Sequence, residues 1–224
     1  MFYKSSIQRS TIAINESMTR VYQNMFLAVV NSMLVSYLVS TSPELMTFLF
    51  TGFIKWVVIF APLVAIFFIS FRMSTATRSE AQVMLHAFAA LMGLSMSTIF
   101  VVYTAMSIVQ AFLGAACLFL AMTLYGYTTK KDLTSIGSFM FVGLIGIILA
   151  SLVNIFIGST LMQMVISALA VIIFLGLTAY DTQKIREMVA YDSSGSTEVT
   201  GALTLYLDFI NLFMNLLSLF GNRK

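Results

Sequence analysis

The chain has 224 residues, of which 59% are hydrophobic and 9% are charged, whereas a soluble domain carries about 25% charged residues. This composition excludes an ordinary soluble domain and indicates an integral membrane protein. The net charge of +3 does not indicate nucleic-acid binding, because the basic residues lie at the ends of apolar stretches, and a single cysteine, Cys117, excludes an intrachain disulfide.

Apolar stretches of about 20 residues recur along the chain, which predicts transmembrane helices rather than the short alternating strands of a β-barrel. We predict one integral membrane domain over residues 1–224, in which residues 1–20 form a polar cytoplasmic N-terminal segment. The fold class is an all-α, seven-transmembrane-helix bundle. The predicted spans are 22–41, 50–71, 82–104, 107–128, 134–153, 161–183 and 201–220.

Basic residues concentrate in alternate connections, which by the positive-inside rule places these connections and the N-terminus in the cytoplasm. They are Lys4, Arg9 and Arg20, then Arg72 and Arg78, then Lys130 and Lys131, and finally Lys184 and Arg186. The basic tail, Arg223 and Lys224, departs from this pattern. Seven full spans put the tail outside, whereas a re-entrant last segment returns it to the cytoplasm. The length of the last apolar run, about 30 Å of helix, allows a full span.

The fifth predicted span carries a row of small residues in "GLIGIILA", namely Gly143, Gly146 and Ala150. Small side chains let helix backbones approach closely in a membrane. We therefore predict close helix packing along this row.

Two acidic residues interrupt the last two apolar runs. "GLTAYDTQKIREM" places Asp181 about one turn from the predicted cytoplasmic surface, and "LYLDFINLF" places Asp208 about 10 Å inside the next span. An ionised acid at the middle of a membrane helix costs about 2.5–3.5 kcal/mol on insertion scales, so such residues are candidates for function. Because the two spans are antiparallel, we expect both carboxyls at similar depth in the cytoplasmic half.

A polar seam runs along the whole last span at spacings of three and four residues, which is one face of a helix. Its members are Gly201, Thr204, Asp208, Asn211, Asn215, Ser218 and Asn222. A helix with such a seam is enclosed by protein or lines a water-filled path. Interhelical hydrogen bonds are the alternative explanation for the two asparagines and Ser218.

Two neighbouring carboxyls in a medium of low dielectric constant cannot both ionise cheaply, so Asp181 and Asp208 are predicted to share a proton. Such a pair is a proton sensor or a weak Ca²⁺ site, since hard oxygen ligands suit calcium, and Asn211 and Asn215 extend the predicted ion pathway. Arg72, at the end of the second span, is a candidate counter-charge, or an ordinary topology anchor. No cofactor is expected, although Ca²⁺ is a possible transported ion.

Four segments together resemble the Bax inhibitor-1 family, also called the transmembrane Bax inhibitor motif family, in its bacterial branch. They are "AYDTQKI", "LYLDFINLF", "YGYTTKKDLTSIGSFMF" and "LMGLSMSTIFVVYTAMSIVQAF". The resemblance covers the chain from about residue 20 onwards. It implies seven helices with the last enclosed by the other six, and a pH-sensitive calcium leak. It also implies that Asp181 and Asp208 form the pH sensor and that Arg72 bonds to that pair. The expected location is the bacterial inner (plasma) membrane.

Other functions fit parts of the pattern. An intramembrane aspartyl protease also uses two aspartates, but "LYLD" lacks the glycines expected before the acid, and Pro43 and Pro62 are the only prolines. A retinal protein needs a Schiff-base lysine, which the last span lacks. A lone His86 disfavours a histidine metal site, but histidine as a residue type serves as a pH switch, which makes His86 the next candidate sensor. A regulatory partner of a membrane protease or of cell-death machinery, without transport, remains open. We expect a non-enzymatic protein.

Overall fold

The computed structural model describes residues 10–73, 75–192 and 194–224. Within those residues the chain is helical, and pairing of the extended type is confined to an isolated bridge between Tyr103 and Arg223. The helices are α1 (Thr11–Ser40), α2 (Pro43–Phe50), α3 (Ile54–Met73), α4 (Arg78–Met96), α5 (Ile99–Val102), α6 (Ala105–Thr128), α7 (Thr134–Ile157), α8 (Thr160–Tyr191) and α9 (Gly195–Phe220).

Seven stretches of the described chain are long and apolar enough to cross a membrane: α1, α3, α4 continued through α5, α6, α7, α8 and α9. The prediction of an all-α membrane protein with seven spanning helices is therefore confirmed. In α7 only 6% of the most apolar stretch is buried by protein. Large side chains such as Phe139 and Phe156 are 72% and 90% exposed, so this helix needs lipid around it.

Capping side chains mark where helices begin, and a glycine marks where one of them ends. The hydroxyl of Ser10 accepts a hydrogen bond from the backbone N–H of Ala13 at the start of α1. Thr77 and Glu80 form a reciprocal capping box at the start of α4. Gly158 ends α7 with φ of +67°, a left-handed conformation that suits glycine. These local signals separate helices whose interiors are uniformly apolar.

Several helices extend beyond the predicted spans. The first begins at Thr11 rather than 22, because its first turns bury Ile14 and Met18 against protein. The predicted polar segment 1–20 is thus helical from Thr11 onwards, Lys4 and Arg9 lie outside the described residues, and the cytoplasmic location of the segment stays a prediction. The helices α8 and α9 likewise run to Tyr191 and start at Gly195.

The short helix α2 lies in a connection that the sequence pattern does not mark as helical. Pro43 occupies its first turn, and the hydroxyl of Ser42 accepts from the backbone N–H of Leu45. Proline at this position is compatible with a helix start because its missing N–H would have no partner there.

The chain divides into two compact units. The first unit runs up to Phe100 and includes Ile185–Tyr206, and the second contains Val101–Lys184 and Leu207–Lys224. The helix α9 contributes its first half to one unit and its second half to the other. The expectation of a single membrane domain concerns the relation between these units and stays a prediction.

In the first unit, α1 and α4 pack against the first half of α9. Tyr206 of α9 is fully buried, and its hydroxyl lies 2.6 Å from the hydroxyl of Ser32 on α1. The ring of Phe88 on α4 meets the Tyr206 ring edge to face, with centroids 6.0 Å apart. The polar tip of Tyr206 is thus satisfied in an apolar core.

In the second unit, two glycines permit close contact with α8. A Cβ at Gly126 of α6 would collide with the carbonyl of Ala179, and one at Gly137 of α7 would collide with the ring of Tyr180. The predicted contact row on α7 is only partly used. Gly143 faces Ile173, but nothing lies within 4 Å of a Cβ built at Gly146.

The end of α9 lies beside the start of α6. The backbone N–H of Thr104 donates to the carbonyl of Asn222 at 3.1 Å, and that of Lys224 donates to the carbonyl of Val102 at 2.9 Å. Since Phe209 of α9 also meets Phe119 of α6, the second half of α9 runs beside α6 from its start as far as Phe119.

The helix α9 is the most buried of the seven candidate spans. Within its most apolar stretch 56% of the residues are buried, compared with 39% or less in the others. This burial agrees with a last helix that is surrounded by protein rather than by lipid.

Candidate functional site

The carboxyl groups of Asp181 on α8 and Asp208 on α9 are hydrogen-bonded to each other in the second unit. Asp208 is 4% exposed, whereas Asp181 is half-buried. We call these two residues the aspartate pair. Two carboxyls can form such a bond only when one of them holds a proton, so the contact fits a pair that shares one proton.

The surroundings of the pair are asymmetric. Lys184, one turn further along α8, interacts electrostatically with Asp181 and lies over the ring of Tyr180, with its ammonium 5.6 Å from the ring centre. Among the described residues no donor group reaches Oδ2 of Asp208. The negative charge is therefore better accommodated at the more accessible Asp181, and the proton at the deeply buried Asp208.

Aromatic packing fixes the helix that carries Asp208. Phe209, the next residue, meets Phe112 and Phe119 of α6 edge to face, with ring centroids 5.4 Å and 5.7 Å away. Phe213, one turn later, also meets Phe112. The pair thus lies beside a water-excluding contact, where a change of its charge has a large effect.

The two asparagines of the seam bond within their own helix. The side-chain N–H of Asn211 donates to the carbonyl of Leu207, and that of Asn215 donates to the carbonyl of Asn211, both at 2.8 Å. The bonds of these two amide nitrogens are therefore within α9 and not interhelical, which was the alternative explanation from the sequence. Because the nitrogens face the backbone, both side-chain oxygens are turned away from it.

From Asn211 onwards, the seam lies on the more accessible face of α9. Asn211, Asn215 and Ser218 are each half-buried, while the apolar residues between them, such as Leu212 and Leu217, are fully buried. The apolar face of this part of the helix packs into the protein core, and the polar face is the more exposed one. Lipid offers no hydrogen-bond partners, so the polar atoms on this accessible face need water or protein around them.

Arg72 lies in the first unit, where its guanidinium is 3.7 Å from a carboxylate oxygen of Glu80. Their side chains are 62% and 50% exposed, so the ion pair contributes little to stability. The expected contact of Arg72 with the aspartate pair stays a prediction.

A buried ionic cluster in the first unit was not anticipated from the sequence. Glu198 on α9 is 2% exposed, and its carboxylate accepts from Nε of Arg20 at 2.9 Å on both oxygens. Arg78 lies 3.6 Å from it. The positive-inside pattern explains the two arginines as topology anchors. The one sequence signal for the cluster was the position of Glu198, an acidic residue between two predicted spans.

The oxygen-rich part of the site is not a dense metal centre. Within the part of the chain that the structure describes, no group of three or more histidine, cysteine, aspartate or glutamate side chains is placed to hold a metal ion. His86 is half-buried in the first unit, where its backbone carbonyl accepts from the side chain of Asn31 at 2.8 Å. Two carboxyls alone are a sparse ligand set compared with the roughly six to eight oxygens that Ca²⁺ takes in a tight site.

Comparison with known proteins identifies the family. The family model described as "Inhibitor of apoptosis-promoting Bax1" matches residues 14–224. The chain is 39% identical over 226 residues to "Inner membrane protein YbhL" of Escherichia coli (strain K12), a match that covers 98% of this chain and 97% of that protein. It is 42% identical over 217 residues to "Uncharacterized protein RP147" of Rickettsia prowazekii (strain Madrid E), covering 92% and 89%.

A further relative is an uncharacterized protein of Caulobacter vibrioides, 38% identical over 226 residues, with 94% of this chain and 90% of that protein covered. The matches extend over nearly the whole chain, including both helices that carry the aspartate pair. The resemblance noted in the sequence is therefore confirmed, and the chain is an integral membrane protein that belongs to the Bax inhibitor-1 family.

Proposed function

We propose that this protein is a pH-sensitive cation leak, with Ca²⁺ as the principal ion, in which the aspartate pair senses protons. The observation that carries the proposal is the hydrogen bond between Asp181 and the deeply buried Asp208. A purely structural polar contact inside a membrane would be served by uncharged side chains. Two acids that share one proton instead give a unit whose charge changes with pH.

The pair joins two helices, so its protonation state biases their arrangement. With one shared proton, a hydrogen bond links α8 to α9. With no proton, two negative charges about 4 Å apart repel by about 4 kcal/mol at an effective dielectric constant of 20. With two protons, the pair is neutral and loses its attraction for a cation. Proton exchange thus changes both helix contact and ion affinity.

The ion pathway is proposed to follow the polar face of α9. The side-chain oxygens of Asn211 and Asn215 point away from the helix that their nitrogens bind. Neutral oxygens of this kind replace part of a cation's hydration shell without holding it tightly. Together with the carboxylates they form a weak Ca²⁺ site rather than a storage site.

Arg72 is proposed as a latch that stabilises the closed state by a charge-assisted bond to the pair. Its ion pair with Glu80 is exposed and long, so exchanging one partner for the other costs little. The latch and the Glu80 contact are then alternative positions of one guanidinium.

The protein is proposed to lie in a bacterial inner membrane with its N-terminus in the cytoplasm. The alternating basic connections support this orientation, and the similar Escherichia coli protein is named an inner membrane protein. In this orientation the aspartate pair is in the cytoplasmic half and senses cytoplasmic pH.

The test is Ca²⁺ influx into proteoliposomes of the purified protein, measured with a trapped fluorescent indicator over a series of pH values. Protein-free liposomes report the background. We expect protein-dependent influx that changes between mildly acidic and neutral pH. Influx no greater than the background at every pH would overturn the leak and favour a regulatory partner of a membrane protease or of cell-death machinery, without transport.

A further inference from the structure

A chain of hydrogen-bonded polar side chains crosses the second unit at the end away from the aspartate pair. The side-chain nitrogen of Asn154 on α7 donates to Oε1 of Gln163 on α8 at 3.4 Å. Nε2 of Gln163 donates to the hydroxyl of Ser167 at 3.4 Å, and this hydroxyl donates to that of Ser218 on α9 at 3.1 Å. We call these four residues the polar relay.

The relay leads from the protein surface into its interior. Gln163 is exposed and lies in the first turn of α8, while Ser167, one turn deeper, is 0% exposed. Ser218 is half-buried and belongs to the same face of α9 as Asn215 and Asn211. From Ser218 to Asp208 the helix rises about 15 Å, so polar atoms recur from Gln163 to the aspartate pair.

The hydrogen bonds of the relay are weak enough to open. Both bonds of Gln163 are 3.4 Å long, beyond the usual upper limit of about 3.2 Å. Gln163 also has a long side chain near the helix start, where other rotamers are accessible. A bond that forms and opens easily is suited to an entrance, whereas a rigid packing contact would be short and buried throughout.

The relay offers an approaching cation oxygen atoms rather than fixed charge. Its hydroxyls and the carbonyl group of Gln163 have lone pairs, and the seam continues with the oxygens of Asn211 and Asn215, whose nitrogens are occupied by the helix backbone. The residues of this row carry no positive charge, and the carboxylates of the aspartate pair lie at its far end, so the row favours cations over anions.

We infer that the polar relay is the entrance of the cation path at the end of the second unit formed by α7 and α8, and that a cation enters by exchanging water for the oxygens of Gln163, Ser167 and Ser218. This inference deepens the proposed function and rests on it for the flux. The competing explanation is a dry hydrogen-bond network that only joins three helices.

Thiol labelling tests the entrance without measuring transport. Asn215→Cys is made in a Cys117→Ala background and placed in lipid nanodiscs, which leave both membrane faces open to water. We expect a positively charged, membrane-impermeant thiosulfonate reagent to label it at least about tenfold faster than a negatively charged one. Leu169→Cys, at an apolar position on α8 that is 48% exposed, should stay unlabelled.

A second substitution locates the route. Adding Gln163→Leu, which has nearly the same size but no hydrogen-bonding groups, should slow labelling of Asn215→Cys by about tenfold. Adding Met164→Leu at the neighbouring exposed position should not change the rate. An unreactive Asn215→Cys, or a rate that Gln163→Leu leaves unchanged, would overturn the inference.

Measurements of Ca²⁺ influx test the entrance separately from the proposed leak. In proteoliposomes, Gln163→Leu should lower Ca²⁺ influx about tenfold at every pH and leave the midpoint of the pH profile in place. Met164→Leu and Ser138→Ala, the latter an exposed serine bonded to its own helix, should behave as the parent. A leaking parent with an equally leaky Gln163→Leu variant contradicts the entrance alone. A parent without influx contradicts the leak, and labelling still decides whether cations enter at the relay.

Discussion

Nε of Arg20 lies 2.9 Å from both carboxylate oxygens of Glu198, a residue that is 2% exposed. This contact ties the first half of α1 to the first turns of α9. Arg78, at 3.6 Å, adds a second positive charge. The start of the last helix is thus anchored by an ion pair, while its second half carries Asp208.

The first prediction follows from this anchor. Glu198→Gln should lower the free energy of unfolding by about 2 kcal/mol, because the charge-assisted hydrogen bonds between the buried carboxylate and Arg20 are lost. Thermal unfolding in detergent measures the effect. Glu80→Gln is the matched control, since it breaks an exposed pair 3.7 Å long and should cost less than about 1 kcal/mol. Equal loss in both variants would show that Glu198 is not an anchor.

The second prediction concerns the glycine contact near the aspartate pair. Gly126→Ala should destabilise the protein by at least about 1–3 kcal/mol, because the added methyl group collides with the Ala179 carbonyl. Gly146→Ala is the control, since nothing lies within 4 Å of its added Cβ, and it should be neutral or slightly stabilising. The melting temperatures of the two variants, compared with the parent, decide the matter. A Gly126→Ala variant as stable as Gly146→Ala would contradict the close approach of α6 and α8.

The third prediction separates the two functions considered for Arg72. If it latches the closed state, Arg72→Ala should increase Ca²⁺ influx at neutral pH, because the charge-assisted bond to the aspartate pair is gone. Glu80→Gln frees Arg72 from its ion pair and should leave influx unchanged or lower it. Influx equal to the parent's in Arg72→Ala would leave Arg72 as a topology anchor, and an increase in both variants would assign the effect to the Arg72–Glu80 pair.

Sequence patterns predicted the helices and the acidic residues because both depend on features that are local in the chain. A run of about 20 apolar residues must be a helix in lipid, whatever its neighbours are. Asp181 and Asp208 attract attention because a charge is costly there, and their distances from the span ends put them at similar depth. Their hydrogen bond in the structure is the geometric consequence.

Features that depend on partners far apart in the chain could not be predicted in the same way. Arg20 and Glu198 are 178 positions apart, and no local pattern in either segment indicates that the two residues pair. The polar relay likewise combines three helices. Gly126 and Gly146 are both small residues in apolar runs, yet only Gly126 is a contact, because helix rotation decides which face meets a neighbour.

The most direct measurement of the central claim is the pH profile of Ca²⁺ influx for the double variant Asp181→Asn and Asp208→Asn. The amides keep the size of the carboxyls but cannot titrate, so the ratio of influx at mildly acidic pH to that at neutral pH should approach unity. Asp132→Asn makes the same chemical change at an exposed position between α6 and α7, and should keep the parent's profile. A double variant that keeps the full pH response of the parent would contradict the account and place the sensor elsewhere, with His86 as the next residue to test.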